Sequence, residues 1–279
     1  MKLQSAMEYL TTYGWAILIL AIVLIALFKF NIFNPNSATP KMQPGLCIVD
    51  RNIYSGAQLS GNCLSGLPKF VAQFDGSTSY IAATSPYSSV GGTISLWVDR
   101  TGPGTGGDTP IGSYTGVGNE RAPTILLSAN NFGWEFGSLI GQPTTVTWNT
   151  NTWYYVVMTY DSNFNVNFYV NGVLAGSGTS VDPFPLYSPF TLGKYGNFGV
   201  EYFQGYISNV QVYNTSLSAN SVQSLYTEGI GGIPINLKNL VSWWPLNDDA
   251  NDYSGVSNDA VPINIFYTAS WTNGYTQPT

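Results

Sequence analysis

The chain has 279 residues, a net charge of −6, no histidine and only 9% charged side chains against 15% aromatic ones. Without imidazole there is no Ser-His or Cys-His nucleophile pair and no His-ligated metal. Nine scattered Lys and Arg residues form no basic run, so nucleic-acid binding lacks its electrostatic footing. The 30 Gly and 16 Pro point to an exported, turn-rich, mainly β chain long enough for one large sandwich.

The first predicted element is Tyr9–Phe28, YLTTYGWAILILAIVLIALF, twenty residues without a charge. As a helix it spans ~30 Å, the thickness of a bilayer's hydrocarbon core. Residues 1–33 therefore read as a membrane segment, with Lys2 holding the N-terminus on the cytoplasmic side. Glu8 lies at the head of this helix, where a carboxylate is unfavourable unless a cation answers it. Lys2 is one candidate; the other is an α-amine created by cutting the chain before Gln4.

Gln4-Ser5-Ala6-Met7-Glu8-Tyr9 resembles the class III signal peptide of archaeal type IV pilin-like proteins, whose pattern is Q-x-S-x-E-[FY] before an apolar helix. The resemblance implies cleavage before Gln4 by a prepilin peptidase. It also implies sibling subunits as partners, packed through this helix into a filament core. An uncleaved single-pass anchor is the other reading, and both put the rest of the chain on the extracellular surface.

Lys29 with Phe28, Phe30 and Phe33 ends the helix at interfacial depth. Residues 34–40, NPNSATP, form an extended linker, so a domain over 41–279 is expected. Cys47 and Cys63 read as a disulfide in an exported domain, with two free thiols as the alternative. Beyond Phe70 the strand grammar is clear. Thr93–Val98 reads as a strand, and Trp153–Tyr160 precedes Phe164–Val170, which alternates apolar residues with Asn163, Asn165 and Asn167. Asn171-Gly172 predicts a type I′ hairpin turn. Leu217-Ser218-Ala219-Asn220 opens and Gly229 closes a short helix over Val222–Tyr226.

FDGSTSYI (Phe74–Ile81), TISLWV, Trp153–Ser177 and Phe203–Gly229 together resemble the laminin G-like group of concanavalin A-like jelly rolls. The implied fold is mainly β: a transmembrane or pilin-like α-helix followed by a concanavalin A-like jelly-roll sandwich. Leu240–Leu246 with Asn251–Gly255 looks like the piece that ordinarily opens such a domain, yet here it comes last. Either the domain is circularly permuted, or a second repeat is cut short.

Three groups of residues carry the functional expectations. Asp248, Asp249, Asp252 and Asp259 form the densest acidic group, and their oxygens suit calcium, as the resemblance also suggests. The alternative is a solvated loop of Asx turns. Tyr114, Trp134 and Tyr195 lie near glycine-rich loops, where a rim site for glycans would be built. Asn214-Thr215-Ser216 is a glycosylation sequon expected on a surface loop, and Asp75 is expected to be structural. No E-x-D or E-x-E pair exists, and Glu120, Glu135, Glu201 and Glu228 are isolated, so no enzyme is expected. The expected role is a surface structural or adhesive protein with the membrane, sibling subunits and glycans or surface proteins as partners. If calcium is held by the acidic group, chelation lowers the melting temperature; an unchanged melt disposes of the site.

Overall fold

The computed structural model describes residues 67–278 apart from 105–106, 115–120, 129–130, 185–189 and 197–200. It also describes residues 13, 15, 17–21 and 23, and the backbone of 47–52 and 56–61. Met1–Lys41 and Met42–Thr279 are separate units. In the first, the described residues are helical, and Trp15, Ile17 and Leu20 are exposed. Among the described residues no helix is long and apolar enough to cross a membrane, and most of Tyr9–Phe28 lies outside them.

The second unit contains β1 (Cys47–Asn52), β2 (Gly56–Gly61), β3 (Val71–Asp75), β4 (Tyr80–Ala83), β5 (Gly91–Arg100) and β6 (Asp108–Gly112). Then come β7 (Arg121–Leu127), β8 (Asn131–Gly137), β9 (Leu139–Thr147), β10 (Trp153–Asp161), β11 (Asn165–Val170) and β12 (Val173–Thr179). The chain continues with β13 (Phe190–Leu192), β14 (Gln204–Tyr213), helix α1 (Ala219–Glu228), β15 (Leu240–Trp244), β16 (Val261–Ile263) and β17 (Phe266–Thr268).

An eight-stranded sheet runs β12-β11-β10-β5-β14-β3-β17, with β15 also on β14; a seven-stranded sheet runs β16-β4-β13-β6-β7-β8-β9. All pairings are antiparallel, as expected for a mainly β sandwich. β14 is long enough to take β3 along one half of its edge and β15 along the other. The C-terminal strands therefore complete this sandwich rather than begin a second one. β16 joins the seven-stranded sheet through β4 and β17 joins the eight-stranded one through β3, so one short connection ties both sheets together. The outermost strands of the seven-stranded sheet, β16 and β9, each contain a proline, Pro262 and Pro143.

The central strand β5 is buried over nine of its ten residues. Ile94, Leu96 and Val98 face the core between the sheets, beside Phe74, Trp134, Phe168 and Trp244. Trp97 faces the other way, into a second core with Trp153, Tyr155, Val222 and Leu225 of α1, and Trp271. Each such side chain contributes about 1.5–3 kcal/mol when removed from water. Adjacent Trp243 and Trp244 divide between the two cores, as strand alternation requires.

Local chemistry sets the turns. Asn171 and Gly172 take φ of 50° and 78°, the pair of positive values a type I′ turn needs. The Ser218 side chain accepts from the Ser221 amide, and Gly229 at φ 82° ends α1. β11 begins one residue later than its apolar pattern suggests. Asp161 accepts from the amides of Asn163 and Asn165, which pulls Phe164 into the turn at φ 60°. Asp75 likewise gathers the amides of Ser77, Thr78 and Ser79. Burial alone would raise its carboxyl, but the Ser79 and Thr78 hydroxyls and the Thr78 and Ser77 amides hold it far below the usual carboxylate range. The expected structural role of Asp75 is this turn. In the glycine-rich loop after β5, Gly102 is buried and Pro103 exposed.

Asp99 is the exception in the second core. It is 2% exposed, its Oδ1 has no partner, and Trp153 and Tyr206 flank it across the strands. Burial pushes its carboxyl up to about 7, against one amide donor at Thr152. Because the folded value lies above the unfolded one near 4, the stabilisation is whole in acid and lost as pH rises through neutrality. Asp99→Asn is expected to gain roughly 5 °C in melting temperature over the parent at pH 8 relative to pH 5. An equal difference at both pH values would refute this.

Candidate functional site

Strand β8 sends Trp134 and Phe136 into the core, so Glu135 between them leaves on the outer face of the seven-stranded sheet. A carboxylate that is 5% exposed needs partners. Arg121, at the start of neighbouring β7, places Nε 3.2 Å from its Oε2. The Tyr195 hydroxyl donates to the same oxygen at 2.5 Å and accepts from Arg121 Nε at 2.8 Å. The guanidinium lies 4.0 Å from the centre of the Tyr114 ring, whose centroid is 5.4 Å from that of Tyr195.

Two loops bring these side chains together, and glycine lets them touch. A Cβ on Gly112 would sit 2.1 Å from the Lys194 carbonyl oxygen, and one on Gly196, at φ 54°, 2.2 Å from that of Tyr114. The Tyr195 amide donates to the Glu201 carbonyl at 3.0 Å, which brings Glu201 alongside. Its Oε2 is 3.5 Å from the Thr109 hydroxyl. Burial, then the Glu135 charge, push the Glu201 carboxyl up, against the Thr109 hydroxyl and Arg121. Burial, then Glu135, push the Tyr195 phenol up as well. The result is a fixed floor of buried Glu135 and Tyr195 held by half-buried Arg121, with Tyr114 and Glu201 half-buried beside it. A ring face beside an accepting carboxylate suits a polyhydroxylated ligand.

Of the three rim residues expected from sequence, Tyr114 and Tyr195 are brought together here. Trp134 is not at the rim: it is 1% exposed, on the opposite face, with Gly176 and Gly178 against its ring. The apolar alternation Phe132-Trp134-Phe136 marks it as a core residue. Arg121, Glu135 and Glu201 were not expected, since they meet only through the fold.

The acidic group lies elsewhere, in the loop after β15. Asp252 accepts from the amides of Trp243, Ser254 and Asn258 and from the Ser254 hydroxyl. Asp249 accepts from Asn251 and the Tyr253 hydroxyl, and Asp259 from the Asp252 amide. Asp248 is exposed, with φ 83°. These oxygens serve turns, the alternative open in the sequence, and among the described residues no group of three or more His, Cys, Asp or Glu is arranged for a metal ion. Chelation remains the direct test of calcium. Asn214 is half-buried, with its Oδ1 accepting from Asn239. Cys47 pairs by its backbone with Gly61, while Cys63, Gln4 and Glu8 lie outside the described residues.

The family model described as the concanavalin A-like lectin/glucanases superfamily matches residues 75–223, just over half of the chain. No curated protein matches it in sequence. A protein from Bacteroides ovatus ATCC 8483, provisionally assigned as carbohydrate-binding, shares the fold at TM-score 0.57 and 20% identity, over 76% of this chain and 67% of its own. Trypanosoma rangeli sialidase, solved with sialic acid, does so at TM-score 0.50 and 18% identity, over 77% of this chain. The chain spans only 40% of that sialidase's length.

The buried floor can be tested by stability. Glu135→Ala removes the acceptor shared by Tyr195 and Arg121 and should cost about 3 kcal/mol in denaturant melts. A loss below ~1 kcal/mol would show that the ion pair does not hold the site together.

Proposed function

Because the chain belongs to the concanavalin A-like lectin/glucanases superfamily, we propose that its sandwich binds carbohydrate at the cell surface, carried there as a pilin-like filament subunit. One observation carries the binding reading: Tyr114 and Glu201 stand half-buried over the locked Arg121–Glu135–Tyr195 floor. Sugar recognition needs an aromatic face for C–H surfaces and fixed acceptors for hydroxyls. The fold shared with the Bacteroides protein supports this reading.

The filament reading rests on Gln4–Tyr9 ahead of the apolar run. Cleavage before Gln4 gives each subunit an amine that can answer a Glu8 carboxylate, its own or a sibling's. A single-pass adhesin that keeps its N-terminus is the alternative. Hydrolysis is the third reading, since the superfamily also takes in glucanases. Glu135, however, is committed to Arg121 and Tyr195, whereas a general acid or nucleophile must be open to the sugar. Binding without turnover is the reading we adopt.

Two measurements test the proposal. Mass spectrometry of the native N-terminus should begin at Gln4; an intact Met1-Lys2-Leu3 removes the filament and leaves the anchored adhesin. A glycan array probed with the full chain in detergent micelles should show binding that Tyr114→Ala weakens roughly tenfold. Silence across the array, or binding indifferent to Tyr114, would refute the site.

A further inference from the structure

We infer that this site selects sugars carrying a free amine and rejects acidic ones. The inference rests on the carbohydrate-binding reading and specifies its ligand class. Its ground is an imbalance of charge. Arg100 binds Asp108 through Nε at 2.7 Å and through its terminal nitrogen, and Arg121 binds Glu135. Glu201 is left over: among the described residues no cation lies within ion-pair distance of it.

The nearest basic residue in sequence serves another surface. Lys194 pairs with Tyr202, one step along the ribbon on which Tyr195 pairs with Glu201, so the two pairs leave opposite faces. Its Nζ lies 4.7 Å from the centre of the Tyr80 ring and 5.7 Å from that of Tyr202. Among the described residues the one polar side-chain contact of Glu201 is the Thr109 hydroxyl at 3.5 Å, longer than a good hydrogen bond. Gly107 lets its loop approach the carboxylate, since a Cβ there would lie 3.0 Å from Oε2.

A half-buried carboxylate near a second one carries two electrostatic costs, desolvation and like-charge repulsion. An ammonium group relieves both and donates up to three charge-assisted hydrogen bonds. A neutral sugar relieves neither charge term. A uronic or sialic acid adds a third carboxylate to this site, which charge complementarity disfavours.

The test compares four probes on the full chain in detergent micelles: glucosamine oligomers, their N-acetylated counterparts, glucuronate-terminated glycans and sialylated glycans. The glucosamine oligomers should bind at least about fivefold tighter than the N-acetylated ones, and the acidic probes weakest. The preference should shrink as salt rises, as an exposed charge pairing does. Glu201→Gln should reduce the amine preference to parity. Glu228→Gln, on the exposed side of α1, removes one carboxylate without touching the site and should keep it. If Glu201→Gln does not fold, the salt series on the parent still decides the point. Equal binding of amine and N-acetyl probes, acidic probes binding best, or the same loss in both variants overturns the inference while leaving carbohydrate binding intact. No binding to any probe or array glycan overturns both.

Discussion

The structure depends on burying both faces of one sheet. Strand β5 carries Ile94, Leu96 and Val98 toward the seven-stranded sheet and Trp97 toward α1 and the C-terminal segment. A sheet with one wet face would need only the first set. Here the wet face is abolished, so helix α1, the loop to β15 and Trp271 are as necessary to the sandwich as its strands. The same choice strands Asp99, a carboxylate in a place built for indole rings. The domain accepts that local conflict for a second core.

The seven-stranded sheet follows the opposite rule. Its inner side is apolar, but its outer side, at the level of Glu135, is closed by polar groups that satisfy one another. Buried polar networks are useful when every member has a partner and costly when one does not. Arg121, Glu135 and Tyr195 meet that condition, which makes them a floor rather than reactive groups. The half-buried Tyr114 and Glu201 stand where a ligand could change their surroundings.

Much of the fold was legible because it is written in local signals. Asn171-Gly172, the Ser218 and Gly229 caps, and the alternation of Val166, Phe168 and Val170 each specify geometry within a few residues. The exception at Phe164 arises because Asp161 outcompetes the strand for nearby amides. The site was legible only by half. Tyr114 and Tyr195 stood out beside glycines that let two loops meet. Glu135 and Arg121 come from neighbouring strands, and Glu201 from a loop 66 positions beyond Glu135; no spacing rule joins residues that only a finished sheet makes adjacent. Trp134 lies near glycines in sequence, but its apolar alternation with Phe132 and Phe136 is the signal that the fold obeys.

The prolines at the margins have a consequence for life in a crowd. Strands β16 and β9 bound one sheet, and Pro262 and Pro143 withhold an amide from each. An edge missing donors is a poor template for another chain's backbone. Many copies could then stand close together without zipping into a continuous β-ribbon through this sheet. Backbone pairing between copies would have to use other edges, such as β12, which has no proline.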